Sequence, residues 1–239
     1  MMAVTVICDF DGTIACEDVT DGLLERFAHA SWREVEAQWL AGQFGSRECM
    51  TRQVALIEAR LGELNAYLDS LQIDPFFPDF VAACERRDGV ALHVVSDGID
   101  YAITRILRKH GLGRLKLTAN ALRALPGNRY RLDFPHASAD CRVASGTCKC
   151  AVGRIGCQDR QPHQPTLVIG DGTSDFCVAS RADFTFAKDG LLDHCRANAI
   201  PHLPFETFAD VERSFAQVVE SLSVSANPAR LFSEIASNA

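Results

Sequence analysis

The chain is 239 residues long, 47% apolar and 23% charged, with a formal net charge of −7. That size suits one domain, or one core carrying a smaller insertion, and the apolar fraction excludes a disordered chain. The acidic balance argues against a nucleic-acid partner, which needs a basic face, and no segment reaches the ~18 uninterrupted apolar residues of a membrane span.

Residues Met1 to Phe10 lack Lys and Arg and meet an acid at Asp9. They read as a strand and not as a signal peptide, so a cytoplasmic location is expected. Ten cysteines in a chain of this length, with no export signal, are expected to be mostly reduced thiols. Val4-Thr5-Val6-Ile7-Cys8 is a β-branched apolar run that predicts a buried strand ending at Asp9-Phe10-Asp11-Gly12-Thr13. Over 20–70 the apolar positions recur at helical spacing (Leu23, Leu24, Phe27; Val35, Trp39, Leu40; Val54, Leu56, Ile57, Leu61), with breaks at Gly42, Gly45 and Gly62. Asp74-Pro75 and Phe77-Pro78 mark a turn out of that region.

Beyond Pro78 the pattern alternates. The spacing predicts a helix near 78–87, a strand at 91–95, a helix near 99–110, a strand at 115–122 and a turn at Pro126-Gly127-Asn128. Thr166 to Ile169 is a further buried strand, followed by a helix near 174–181, a strand at 184–187 and a final helix. Alternation of this kind predicts a mainly parallel α/β sheet of Rossmann-like form. The helical stretch interrupts it, so 16–75 is expected to be an inserted cap and 1–15 with 76–239 the core.

Asp9, Ser96 and Asp171 each directly follow a predicted strand. In an open parallel sheet such positions converge on one crevice outside the carboxyl ends. Phosphoryl transfer needs a nucleophile, a proton donor for the leaving oxygen and neutralisation of the phosphate charge. Asp9 can supply the nucleophile through an aspartyl-phosphate, and Asp11, two residues on, can serve as general acid and base. Asp171, in Gly170-Asp171-Gly172-Thr173-Ser174-Asp175, is expected to share a magnesium ion with Asp9 and the backbone carbonyl of Asp11. Asp175 suits either an outer role on the metal or the orienting of a lysine, and as a first-turn acid it also suits a plain helix start with Thr173 or Ser174 as N-cap. Ser96, in Ser96-Asp97-Gly98, reads either as part of a phosphate cradle or as a helix cap. Lys149 lies between these motifs and is a candidate to neutralise phosphate.

Asp9-Phe10-Asp11-Gly12-Thr13, Ser96, Lys149 and Gly170-Asp171 to Asp175, in this order, resemble the four motifs of the haloacid dehalogenase superfamily. The resemblance spans Val4 to about Ala187. It implies a Rossmann-like core, a magnesium ion, an aspartyl-phosphate on Asp9 and acid/base chemistry at Asp11, the acid that separates phosphatases from dehalogenases. It implies substrate and phosphate binding by Ser96, Asp97, Gly98, Lys149 and Asp18, and metal binding by Asp9, Asp11, Asp171 and Asp175. The helical insertion after the first motif resembles the phosphoserine-phosphatase branch. Within it, Gly146-Thr147-Cys148-Lys149, Phe186-Ala187-Lys188-Asp189 and His202-Leu203-Pro204-Phe205 resemble the methionine-salvage phosphatases that act on an enol phosphate. One departure stands out: Asp97 occupies a position that is usually glycine in that branch, which brings a negative charge to the phosphate site unless the side chain points away. Asp18 matches the cap acid that reads the substrate of phosphoserine phosphatases, and equally suits an N-cap. Arg47 and Arg52 are available for that branch's cap arginine without clearly falling in place.

The expected partner is therefore a small phosphorylated metabolite. A phosphotransferase and a non-catalytic phosphate-binding module are the rival readings. Cys141, Cys148, Cys150 and Cys157 also suggest a zinc site, although only Cys148 and Cys150 are close and their single spacer is atypical. The apolar face of the final helix (Phe208, Val211, Phe215, Val218, Val219) suits packing within the chain or on a partner.

Overall fold

In a computed structural model, which describes residues 3–153 and 164–224, the apolar runs line up as one sheet. Strand β1 (Val4–Cys8) lies at its centre, parallel to β2 (Val90–Ile99) on one side and to β5 (Thr166–Gly170) on the other. β3 (Lys116–Leu125) extends the sheet parallel to β2, and β4 (Arg129–Asp133) closes that edge as the antiparallel arm of a hairpin. β6 (Phe184–Ala187) and β7 (His202–Pro204) complete the order β4-β3-β2-β1-β5-β6-β7. The mainly parallel α/β sheet is as the alternation predicts. The hairpin arm β4 and the short β7 are additions to that reading. Pro126-Gly127-Asn128 is the turn between β3 and β4, with Gly127 and Asn128 both at positive φ (77° and 57°), the backbone that a tight hairpin needs.

Both faces of the central strands are covered, as a parallel sheet requires. Val4, Val6 and Cys8 face α5 (Phe77–Glu85) and the final helix (Phe208–Val224), whereas Ile7 faces the opposite way, toward Val95, Val168 and Val178. Phe80 packs between Phe208 and Phe215 with ring centroids 5.2 and 4.9 Å away. The apolar face of the final helix is thus buried within the chain.

Helices α1 (Val19–Phe27), α2 (Trp32–Leu40), α3 (Ser46–Val54) and α4 (Leu61–Ser70) lie between β1 and α5 in sequence. The two ends of this segment meet where Ala15 bridges Ile73 and the Asp74 amide donates to the Ile14 carbonyl at 2.8 Å. Arg105, on α6 (Asp100–Lys109), donates two bonds to Asp69 of α4 at 2.7 and 2.6 Å. On the far side Tyr130 of β4 donates its hydroxyl to the Ala59 carbonyl at 2.9 Å. Among the described residues no helix is long and apolar enough to cross a membrane.

Candidate active site

β1 ends at Cys8, so Asp9 is the first residue beyond the sheet. The chain then turns under Phe10, whose carbonyl accepts from the amides of Thr13, Ile14 and Ala15. Gly12 makes this possible with φ +65°, and a Cβ there would press on Asp171 Oδ2 at 2.6 Å. Asp9 and Asp11 both lie beyond the end of β1, in this turn, and both line one cavity. The cavity, of about 500 Å³, is also lined by Asp18, Ser96, Asp97, Gly98, Asp171 and Ser174.

Asp9 Oδ2 and Asp175 Oδ1 flank Lys149 Nζ at 2.8 and 2.6 Å, and all three side chains are buried. Burial works against the ammonium, but Asp175 and Asp9 outweigh it and hold the lysine pKa above its ordinary value. Asp175 feels the opposite: burial, then the Asp9 charge, push its pKa up, and Lys149 only partly restrains the rise. Asp171 is raised to about 6 by burial and then by Asp9, against the lowering effect of the Thr13 hydroxyl, which donates to it at 2.6 Å. Oxygens of Asp9, Asp171 and Asp175 lie within 4.8 Å of one another, and Asp175 Oδ2 is buried with no hydrogen-bond partner. An all-oxygen donor set with an orphaned carboxylate oxygen fits a hard divalent cation.

Burial, then Asp18 and Asp9, also raise the Asp11 pKa well above the carboxylate range, against the Val19 amide, which donates to it at 3.0 Å. Asp11 is thus biased toward the protonated form that a proton donor needs. Gly98 makes room for it, because a Cβ there would overlap Asp11 Oδ2 and press on Ser96 Oγ at 3.0 Å. Gly98→Ala is therefore expected to displace the Asp11 carboxyl and lower kcat by on the order of 10²-fold, the usual cost of about 1 Å of misplacement. Steady-state kinetics with a thermal melt would check this, and native kcat in the variant would show that Asp11 tolerates the shift.

Ser96 does not cap α6, which starts at Asp100 after Ile99; its hydroxyl accepts from the Gly98 amide at 2.9 Å beside the cavity. Neither Thr173 nor Ser174 caps the short helix Thr173–Asp175, whose N-cap position is held by Gly172; Ser174 instead accepts from Lys149 at 2.9 Å and donates to Asp9 at 3.3 Å. Asp18 caps α1 through the Asp21 amide at 2.8 Å and also lines the cavity. Asp97 lines it too, but its carboxylate is occupied by Ser46, Asn120 and the Thr147 amide. Thr13 and Ser174 are site residues to which the sequence reading gave no catalytic part. Arg52 pairs with Glu48 and lies over Phe44, and neither Arg47 nor Arg52 lines the cavity. Of the suggested zinc ligands, Cys157 lies outside the described residues. Cys150 meets Cys177 and Cys141 meets Ser145, and among the described residues no group of three cysteines converges on one point.

Residues 6–180 match the family model of the haloacid dehalogenase-like hydrolases. The chain belongs to this family. Among its relatives, a 2-hydroxy-3-keto-5-methylthiopentenyl-1-phosphate phosphatase from Exiguobacterium sp. is 33% identical over 213 residues, covering 88% of this chain and 96% of the relative. The protein of the same name from Geobacillus kaustophilus is 32% identical over 209 residues, covering 86% and 92%. A phospho-aspartyl intermediate analogue structure of phosphoserine phosphatase superposes with a TM-score of 0.62 at 16% identity, over 89% of this chain and 99% of the other, which places this haloacid dehalogenase-like chain in the same fold.

Proposed function

We propose that this chain hydrolyses a small phosphomonoester through an aspartyl-phosphate on Asp9, and that the substrate is 2-hydroxy-3-keto-5-methylthiopentenyl-1-phosphate. The observation that carries the chemistry is the buried group of Asp9, Lys149 and Asp175, with Asp171 beside it and Asp11 on the same cavity. Asp9 Oδ1 is fixed by the Phe10 amide at 2.8 Å, which leaves Oδ2, beside Lys149, to attack phosphorus. Asp11 gives its proton to the leaving oxygen and then, as carboxylate, takes one from the water that hydrolyses the acyl-phosphate. Lys149 offsets charge on the phosphoryl group, and Ser96 contributes its hydroxyl. A magnesium ion held by Asp9, Asp171, Asp175 and the Asp11 carbonyl would neutralise further phosphate charge. The helical segment 16–75 acts as a cap that excludes water and reads the organic part of the ester.

The cavity wall favours the methionine-salvage ester over phosphoserine. Trp39, Cys49, Met50 and Val143 line it with apolar surface, Asp18, Asp21 and Glu36 line it with acids, and no arginine lines it among the described residues. A thioether-bearing, carboxylate-free leaving group suits such a wall, whereas the phosphoserine carboxylate would meet acids with no cation to pair with. The near full-length relatives that carry the salvage name support the same choice.

Phosphate release should be measured with and without Mg²⁺ across the salvage phosphate, phosphoserine, phosphocholine, phosphoethanolamine and sugar phosphates. Mg²⁺-dependent preference for the salvage phosphate is the expected result. Preference for phosphoserine would overturn the substrate and keep the chemistry. Transfer to an added alcohol at the expense of water would make the chain a phosphotransferase.

A further inference from the structure

The Asp97 carboxylate, on the cavity wall, ties together three elements of the fold. It accepts from three parts of the molecule: Ser46 Oγ at 2.8 Å, Asn120 Nδ2 at 3.1 Å and the Thr147 amide at 2.8 Å. Ser46 is the first residue of α3 in the helical segment, Asn120 is a fully buried residue of β3, and Thr147 precedes Lys149 by two residues. Asn120 also accepts from the Thr147 hydroxyl at 3.0 Å, which fixes the Asn120 amide and closes a ring of bonds around Asp97. The helical segment grips the same loop from above. Arg47 donates its amide to the Ala144 carbonyl at 3.1 Å, and a Cβ on Gly45 would press on Ala144 Cβ at 2.6 Å.

We propose that Asp97 is a positioning residue that couples seating of the helical segment, through Ser46, to anion binding at the Ser96 and Lys149 site. The inference rests on reading the cavity as a phosphate site. With Ser46 in place, the Asp97 carboxylate is fully engaged by donors and joins α3, β3 and the Lys149 loop. With the segment lifted, Oδ2 loses its hydroxyl donor on the cavity wall, next in sequence to the phosphate-facing Ser96. A bare carboxylate there repels a phosphate dianion. Asp97 therefore makes phosphate binding depend on a seated cap, and it favours release of the product when the cap lifts.

The test is Ser46→Ala, which removes one half-buried hydroxyl on the cavity wall and leaves the core intact, compared with Ser46→Ala/Asp97→Asn. The readouts are KM, kcat and the inhibition constant of inorganic phosphate, with a thermal melt to confirm folding. Inorganic phosphate binding, followed by calorimetry with Mg²⁺, does not depend on which ester is the substrate, so a wrong substrate assignment leaves this test standing. Ser46→Ala should raise KM and the phosphate constant together by about tenfold, the scale of one like-charge contact, while kcat stays within about threefold. The double variant should return both constants to within about threefold of native, because a neutral amide keeps the bonds to Thr147 and removes the repulsion. Unchanged constants in Ser46→Ala, or a double variant as impaired as the single one, would overturn the coupling. A hydroxyl with a merely structural role would gain nothing from the second substitution.

Discussion

Asp9→Asn is expected to reduce phosphate release by on the order of 10⁴- to 10⁶-fold, the usual consequence of deleting a nucleophile, while the protein melts at or above the native temperature. The activity loss follows from chemistry: an amide oxygen is a poor nucleophile, and the acyl-phosphate cannot form on it. The stability expectation follows from geometry. Asp9 Oδ1 accepts from the Phe10 amide, and an asparagine oxygen can keep that bond. The buried group holds two carboxylates, Asp9 and Asp175, around the single ammonium of Lys149, with Asp171 adding a further acid nearby. Neutralising one of the pair leaves Lys149 with Asp175, so the buried charge is better balanced than before. Thermal denaturation and a phosphate-release assay on the same preparation check both halves. Turnover above about 1% of native, far beyond the residue left when a nucleophile is deleted, would assign the nucleophile elsewhere.

The parts of this site that a sequence discloses are those placed by local structure. Asp9 and Asp171 each end or follow an apolar run that can only be a buried strand, and the sheet order sets β1 beside β5, so their meeting follows from topology. Gly12 is legible as a turn residue, but the reason Gly98, within β2, has no side chain, the Asp11 carboxyl occupying the Cβ position, is a fact of tertiary contact. Thr173 or Ser174 also suits a helix cap, because a hydroxyl residue with an acid in the following turn is a common helix start. The use of Ser174 as a bridge between Lys149 and Asp9 depends on a lysine 25 positions away. Thr13 carried no signal beyond its place in the first motif, since its partner Asp171 is 158 positions distant. The charge of Asp97 was visible and its consequence was not: the donors that engage it come from residues 46, 120 and 147, each on a different element. The β4 arm is written in the alternation of Arg129-Tyr130-Arg131-Leu132-Asp133, with Tyr130 and Leu132 buried.

Lys149→Met should be the most damaging substitution outside the nucleophile, and its damage should depend on pH. The methionine fills much of the same volume without charge, so Asp9 and Asp175 face each other in a buried pocket with no cation of the chain between them. Breaking a buried ion pair from one side costs about 3–5 kcal/mol, and loss of a positive group aimed at developing phosphate charge lowers turnover by on the order of 10³-fold. In the native protein Asp175 already has its pKa raised by burial and by Asp9, and Lys149 is the group that opposes this. Removing the lysine raises it further. A carboxyl with a folded-state pKa above its unfolded value binds more protons when folded, so its contribution to stability falls as pH rises from about 4 through the folded pKa. The variant's deficit relative to native should therefore be largest at pH 8 and shrink at pH 5, where protonation of Asp175 removes the unpaired charge. Urea denaturation of both proteins at the two pH values, in metal-free buffer, measures this directly. A deficit equal at both pH values would mean that the cost of losing Lys149 is lost packing and not uncompensated charge, and the buried group would then have to be redrawn with Asp175 neutral in the native protein.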